Sequence, residues 1–458
     1  MLAPLKMLIL REEATLGSAT TTPRKSQRRE LVSLFSKLRE SAGQANPLPI
    51  YAELRRMGEV IPAPWGGTLV NSYSLAQQVL RDKQWTVPDR AWRIQQGAAA
   101  RWSSPASLQM SQTLPLLNPP AHTQMRRPLG NVFNQSTLAD LHRVTEGAVE
   151  VLLDEFTDRL RGGPADFVAL VSEKLPIMII GEWMGLPSKD HELLRDLTHD
   201  QVHTQELFPT ASEVRVSDAA TARLQVYFTN LIQDRRRTPG DDPVSTWIRT
   251  WDDLEGDPVL TDAAVHSLAL FMILAALETT SHLITSTVRL LLEHPTQLDL
   301  VRQHPDLVPD TVDEALRYDA PIHLVSRVAT AHTELGGVAI APGETVQILI
   351  GAAHHDPEHF TDPHAFDVRR RGVGAEVAPA TRFSSHLAFG AGIHYCLGNA
   401  LARMEATTLL TSLLRRRIQL RLSAPPQWAS RVVFRRITSL HLTLAVPRHE
   451  ASQRIDAR

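Results

Sequence analysis

The single cysteine of the chain, Cys396, lies in the stretch FGAGIHYCLG, residues 389–398. One cysteine cannot form an internal disulfide or a multi-thiolate zinc site, so attention falls on the reactivity of this one thiol. Gly390, Gly392 and Gly398 remove side chains around it, which lets the backbone approach a flat ligand closely or adopt positive φ angles. Taken alone, a solitary cysteine is more often an inert buried residue, and that alternative stays open.

The sequence after Cys396, LGNALARMEATTLLTSLLRR, predicts a helix with Leu397, Leu401, Met404 and Thr408 on one face. Cys396 would then lie near the N-terminus of this helix. There the helix dipole and free backbone N–H groups favour a thiolate and lower its pKa. A soft thiolate beside a flat surface indicates iron in a porphyrin.

A long apolar helix is predicted over residues 261–295, with Thr261 as its N-cap and Pro295 as its stop. At ~1.5 Å per residue it would be about 50 Å long, and its apolar faces predict a path through the interior. Its AALETT stretch places Glu278 and Thr279 in the apolar run. A buried carboxylate needs a partner, water or a function. The alternative for the threonine is a hydroxyl bonded to the carbonyl of the preceding turn.

Two further pairs have the spacing of one helix face. Glu314 and Arg317 in DEALRYDAP can form an ion pair, although such pairs usually lie at the surface and contribute little. His122 and Arg126 follow an N-terminal proline pair, and a basic amphipathic face is the alternative for them. Pro128 should kink this second helix or shift its start.

Composition predicts a globular protein, with 43% apolar and 21% charged residues and a net charge of −2, and nothing suggests a nucleic-acid partner. Residues 1–40 are predicted to be a disordered polar extension and 41–458 a single, mostly helical domain. Local strand signals occur at 60–72, 334–350 and 431–446. MLAPLKMLIL is too short to span a bilayer and no clear cleavage site follows, so we expect no membrane anchor and a cytoplasmic protein.

One set of residues resembles, position for position, the haem-binding loop of the cytochrome P450 family: Phe389, Gly390, Gly392, His394, Cys396 and Gly398. The resemblance extends from about residue 47 towards the end of the chain, with five motifs in the expected order. It implies a mainly α fold with small β-sheets and a long central helix over a haem b (iron protoporphyrin IX). It also implies Cys396 as the axial ligand, Phe389 near its sulfur, and His394 at a haem propionate.

The same resemblance implies functions for the other motifs. Glu278 and Thr279 match the family's acid–threonine pair, in which the threonine holds a water and the acid relays protons; Ala276 stands where glycine is common. His122, Arg126 and Arg327 match contacts to the haem propionates.

The resemblance also implies a structural network and a docking site. Glu314, Arg317 and Arg370 match a buried network that holds the thiolate loop in place. Arg126, Arg127 and Arg403 are candidates for docking an acidic electron donor, and a solvated basic face is the alternative.

Substrate contacts are expected from a variable loop, the middle of the long helix and the PIHLVS segment; the candidates are Trp102, Met110, Ala275, His323, Leu324 and Val325. Mostly apolar lining with a few polar groups indicates a medium-sized natural product or lipid-like molecule.

The implied activity is that of a monooxygenase, which oxidises a small organic substrate with O2, and the expected setting is secondary metabolism. No flavin or iron–sulfur motif occurs, so electrons from NAD(P)H should arrive through a separate ferredoxin-type donor and its reductase. The alternatives are an atypical oxidation, such as ring coupling, nitration or peroxide-driven chemistry, or a non-catalytic haem-binding sensor or recruitment protein.

Overall fold

The computed structural model describes residues 25–96, 103–130, 132–370 and 386–445. Helices dominate this part of the chain, as predicted. The α-helices are α1 (Lys25–Arg39), α2 (Ser41–Ala45), α3 (Leu48–Arg56), α4 (Tyr73–Arg81), α5 (Arg90–Gln95), α6 (Pro105–Met110), α7 (Ala121–Arg126), α8 (Gln135–Arg161), α9 (Lys174–Trp183), α10 (His191–Gln201), α11 (Ala211–Arg237), α12 (Pro243–Glu255), α13 (Pro258–Glu293), α14 (Pro295–Gln303), α15 (Val308–Tyr318), α16 (Ile350–Ala353) and α17 (Asn399–Arg415).

The strands are short. They are β1 (Val60–Pro62), β2 (Thr68–Val70), β3 (Trp85–Thr86), β4 (Ala165–Asp166), β5 (Leu324–Ala329), β6 (Thr333–Leu335), β7 (Val338–Ile340), β8 (Thr345–Leu349), β9 (Leu420–Leu422), β10 (Gln427–Trp428), β11 (Ile437–Ser439) and β12 (His441–Leu444). Five of them form a sheet in the order β1-β2-β8-β5-β3, in which β2 and β8 are parallel and the other neighbours antiparallel. The three predicted strand regions are all found, whereas β5 was not predicted as a strand.

The central helix α13 runs through the interior, as predicted, but it begins three residues earlier than Thr261. Asp257 is the N-cap, because its Oδ1 accepts the Val259 N–H at 2.8 Å, and Pro258 occupies the first turn. Proline suits that position because its missing N–H would have no partner within the helix. By length and apolar composition α13 could cross a membrane, but 56% of its most apolar window is buried inside the protein, as in a core helix.

The predicted disorder of residues 1–40 is wrong for Lys25–Arg39, which forms α1. Four of its five apolar residues follow the i, i+3, i+4, i+7 spacing of one helix face, and these four are buried: Leu31, Leu34, Phe35 and Leu38. Phe35 packs edge-on against Trp65, with ring centroids 4.6 Å apart. This apolar face stabilises the helix despite the polar composition around it. Residues 1–24 lie outside the described part of the chain.

Local sequence explains where two helices that border the candidate site begin or end. Helix α7 ends at Arg126 and continues as a 3-10 turn over Arg127–Leu129, because Pro128 cannot extend the α-helical hydrogen bonding. Helix α17 begins at Asn399, so the predicted position of Cys396 just before a helix is confirmed.

Candidate functional site

The backbone of the Cys396 loop is held in a tight turn. Gly390 and Gly392 have φ angles of 69° and 70°. A Cβ on Gly392 would come within 2.5 Å of the Leu80 carbonyl oxygen, so this position requires glycine. The Cys396 N–H donates to the Phe389 carbonyl at 3.0 Å and closes the turn.

Burial decides the protonation of Cys396. It raises the pKa of the thiol above its usual value, although the Gly398 N–H, Arg126 and Arg403 act in the opposite direction. The sequence-based expectation of a lowered pKa is therefore wrong for the side chain by itself, because desolvation outweighs the helix terminus and the two cations. Coordination to a metal ion removes the thiol proton outright.

A cavity of about 2500 Å³ opens between the Cys396 loop and α13. Most of the predicted site residues line it: Met110, His122, Arg126, Ala275, Thr279, Leu324, Val325, Arg327, Phe389, Gly390, His394, Cys396 and Gly398. The structure thus brings together residues that are separated by nearly 290 positions in the chain. Trp102 lies outside the described residues.

His323 does not line the cavity, contrary to its predicted contact with substrate. The side chain is 5% exposed, and its Nδ1 lies 2.6 Å from the Tyr51 hydroxyl oxygen. Burial and the nearby Arg435 hold its pKa well below the usual range, so the ring is neutral. His323 is a core residue behind β5, whereas the adjacent Leu324 and Val325 reach the cavity.

Positive charge collects in one corner of the cavity. Arg327 is 8% exposed, and burial lowers its pKa to about 10. Burial, together with Arg327, His122 and Arg126, lowers the pKa of His394 to about 3. Among the residues that the structure describes, none of these side chains pairs with a carboxylate. Arg126 and Arg327 thus bring positive charge that has no carboxylate partner in the described part of the chain, and the His122 and His394 rings, whose pKa values are lowered, add hydrogen-bonding nitrogens. This set of residues fits an anionic ligand edge, such as the two propionates of a haem.

Further contacts orient this cationic corner. The His122 and His394 rings meet edge to face, with centroids 4.4 Å apart. The Arg126 guanidinium donates to the Tyr395 carbonyl at 2.9 Å and is thereby fixed to the thiolate loop. Within the described chain His122 Nε2 has no hydrogen-bond partner, so it is free to bind a ligand oxygen.

The acid–threonine pair divides between the cavity and the core. Thr279 Oγ1 donates to the Ala275 carbonyl at 2.8 Å, which is the local hydrogen bond considered as the alternative from sequence. Thr279 lines the cavity, whereas Glu278 does not. Glu278 is 2% exposed and forms an ion pair with Arg431 and a hydrogen bond with His199. Burial raises the pKa of Glu278, but these partners outweigh burial and hold it well below its usual range.

Glu314 and Arg317 lie together, as their spacing predicts, and Arg370 joins them, as the resemblance implies. Arg317 forms a bidentate pair with Glu314, at 2.8 Å for both contacts, and Arg370 Nε lies 3.1 Å from the same carboxylate. Arg317 also donates to the His354 carbonyl at 2.8 Å. His354 Nε2 in turn accepts the Leu387 N–H at 2.7 Å, two residues before Phe389, so the network is connected to the thiolate loop.

Arg403 packs against the same loop from α17. Its guanidinium lies 4.4 Å from the centre of the Phe389 ring, and its Nε bonds Asp313 at 2.7 Å. Arg403 therefore supports the thiolate loop, and 15% of its side chain is exposed.

Comparison with known proteins identifies the family. The family model described as Cytochrome P450 matches residues 198–426. Nocardicin C N-oxygenase of Nocardia uniformis subsp. tsuyamanensis is 32% identical over 386 residues, which cover 83% of this chain and 90% of that protein. The chain belongs to the cytochrome P450 family. The 6-deoxyerythronolide B hydroxylase of Saccharopolyspora erythraea is a similar relative of this P450, with 33% identity over 80% of this chain and 87% of that protein.

Solved structures agree with the family assignment. The crystal structure of P450BioI with a hexadec-9Z-enoic acid ligated acyl carrier protein superposes with a TM-score of 0.78 at 28% identity, over 88% of this chain and all of that chain. That of CalO2 gives a TM-score of 0.76 at 26% identity, over 89% and 98% of the two chains. The predicted P450 fold is confirmed. This P450 is an oxidoreductase whose family uses haem iron and receives electrons from redox partners.

Several residues of the site escaped sequence reasoning. His199 and Arg431 have no local pattern that marks them. Glu405 does have one, because it lies four residues after Leu401, on the face predicted to be apolar. Glu405 is 2% exposed and borders the cavity, and burial raises its pKa to about 8.

Proposed function

We propose that this P450 is a monooxygenase that activates O2 with electrons from NAD(P)H, delivered by a separate ferredoxin-type donor and its reductase. The substrate is a medium-sized, largely apolar molecule of secondary metabolism, and the enzyme works in the cytoplasm. One observation carries the proposal: the only cysteine, a cluster of unpaired cations and the threonine of the acid–threonine pair line one cavity.

The residues present fit a haem b group. Cys396 would bind the iron, and Phe389 would pack near the sulfur. His122, Arg126, Arg327 and His394 would hold the propionates, which supply the negative charge that these residues lack among their described neighbours. When bound, the haem supplies O2 activation, and the thiolate increases the electron density at its iron.

Thr279 and Glu278 are assigned to proton delivery. The Thr279 hydroxyl borders the cavity and can accept a hydrogen bond from water while it donates to the Ala275 carbonyl. Glu278, which directly precedes Thr279 on α13, is the acid from which protons reach this water. Ala276, in place of a smaller glycine, also lines the cavity and narrows the space beside Thr279.

The lining of the cavity supports the substrate class. Met110, Ala275, Leu324 and Val325 present apolar surface, which favours a substrate with little charge. The relatives named for nocardicin C and 6-deoxyerythronolide B support a natural product as the substrate class. We assign Glu314, Arg317 and Arg370 to holding the thiolate loop, and Arg126, Arg127 and Arg403 to the docking of an acidic donor.

The test compares wild type with Cys396→Ala after expression with haem supplied. Wild type should give the ferrous–CO spectrum of a thiolate-ligated haem, and with a surrogate ferredoxin system it should form an oxygenated product. Candidate substrates are first selected by their ability to shift the haem spin state. An unaltered spectrum in Cys396→Ala would refute the ligand assignment. Wild type that binds CO and is reduced, yet oxidises none of the spin-shifting ligands, would favour the sensor alternative.

A further inference from the structure

The carboxylate of Glu278 has both oxygens engaged in the protein interior. Oε1 pairs with the Arg431 guanidinium, and Oε2 lies 2.6 Å from His199 Nδ1. With 2% of the side chain exposed, bulk water has little direct access to the acid. A proton that replaces one used in the cavity must therefore come through one of these two partners.

Only one of the two partners is able to give up a proton. Arginine stays protonated at any physiological pH, whereas an imidazole titrates near neutrality. Burial lowers the pKa of His199, but hydrogen bonds to Glu173 and Glu278 outweigh it and raise the pKa above the usual value. The raised pKa favours the imidazolium form, in which the Nδ1 proton faces Glu278 Oε2 at 2.6 Å between the heavy atoms.

The other side of the imidazole faces Glu173, and its Nε2 is buried. His199 Nε2 lies 3.4 Å from Glu173 Oε1, and the two side chains are 13% and 12% exposed. Burial raises the pKa of Glu173, but His199 and Arg436 together lower it to about 2. Glu173 therefore rests as a carboxylate, which stabilises the imidazolium. Its partly exposed side chain connects the buried ring nitrogen to water.

We propose that His199 reprotonates Glu278 from solvent, as the intermediate carrier in a path from Glu173 to the cavity. The proposal rests on the proton-delivering role given to Glu278 above. In the transfer the His199 Nδ1–H bond breaks and a Glu278 Oε2–H bond forms. Only a proton moves, and neither residue is oxidised or reduced. The neutral imidazole then takes a replacement proton at Nε2 from Glu173, whose partly exposed carboxylate has accepted that proton from water.

Two arginines, Arg431 and Arg436, favour the ionised form of Glu278. Arg431 pairs with Glu278 and also donates to the His199 carbonyl at 3.2 Å, while Arg436 Nη1 lies 4.0 Å from Glu278 Oε1. These cations keep Glu278 ionised. If the Glu278 carboxylate turns away from them it stays buried but loses their attraction, so its pKa rises and it can take up a proton. His203, the remaining titratable neighbour, is kept neutral by burial and by Arg431, which lower its pKa.

The main test uses His199→Gln, which keeps a hydrogen-bond donor for Glu278 but cannot titrate. His142→Gln, on the exposed face of α8, is the matched control. The assay measures the amount of hydrogen peroxide formed per electron consumed, in the absence of substrate and with a surrogate ferredoxin system. It is run from pH 6 to 8, in H2O and in D2O. Wild type and the control should form more peroxide as pH rises. His199→Gln should form at least ~10-fold more at pH 6, with no pH dependence and a larger solvent isotope effect.

A second readout does not depend on turnover. In NMR of histidine-labelled holoenzyme, a resonance that titrates above pH 6.5 should vanish in His199→Gln, and Glu173→Gln should lower its midpoint. The relay alone would be overturned if His199→Gln had the same pH dependence and isotope effect as wild type, or if the His199 resonance titrated with a midpoint below pH 6.5. Failure of wild type itself to consume electrons, despite haem loading, would instead overturn the monooxygenase function and the relay together.

Discussion

Replacement of Glu405 by glutamine should stabilise this P450 at alkaline pH. Burial raises the pKa of this carboxyl group from its usual 4.5 to about 8. The folded protein therefore binds a proton that the unfolded chain releases, and stability is lost as pH rises from about 4.5 to about 8. Each pH unit within this window costs about 1.4 kcal/mol. Glutamine has the shape of the neutral acid and no proton to lose, so the variant should escape this loss.

The expected shift in melting temperature follows from chain length. With an unfolding entropy on the order of 1 kcal/mol/K for a chain of this size, 1.4 kcal/mol corresponds to about 1 to 2 °C per pH unit. Between pH 5.5 and 8.0, the Tm of wild type should therefore fall by roughly 3 °C relative to that of Glu405→Gln.

The assay is thermal unfolding of the haem-loaded proteins, followed by circular dichroism at several pH values. Glu255→Gln, at the exposed end of α12, is the control, and it should follow the wild-type profile. Parallel Tm–pH curves for wild type and Glu405→Gln would mean that Glu405 is ionised in the folded protein. That result would refute the reasoning from burial.

Three further outcomes are expected. Thr279→Ala should lower product formed per electron consumed and increase hydrogen peroxide, whereas Thr279→Ser should retain coupling; full coupling in the alanine variant would contradict a role for the hydroxyl. Arg317→Met should destabilise the fold by about 3 to 5 kcal/mol, measured by denaturant unfolding, because Glu314 is left buried without its main partner; a loss below about 1 kcal/mol would contradict a buried network. Arg327→Gln should speed haem transfer to apomyoglobin by about 10- to 100-fold, because a charge-assisted bond to a propionate is lost; an unchanged rate would place the propionates elsewhere.

Much of this P450 could be predicted from local sequence. The glycines of the Cys396 loop, the helix after it and the apolar run around Thr279 are patterns within one or two turns of chain, so spacing alone predicts them. The Glu314–Arg317 pair is of the same kind, since residues three apart share a helix face. The extension before residue 40 was misjudged because average composition concealed four apolar residues on one face of α1.

Other features depend on contacts between distant segments. The sequence indicated that Glu278 needs a partner, but His199 is 79 residues away and Arg431 is 153 residues away. Likewise, nothing near Cys396 indicates that burial would raise the pKa of its thiol.

The ligand loop, the central helix and the family are predictable from sequence, because each depends on residue types at short, fixed spacing. Which charges are buried together depends on the folded arrangement: His323 lies in the core rather than at the cavity, Arg126 and Arg327 lie at the cavity corner without a carboxylate partner among the described residues, and Glu278 lies between Arg431 and His199. The physical reason is that desolvation and ion pairing depend on distances through space, which packing of remote elements sets and local sequence does not encode.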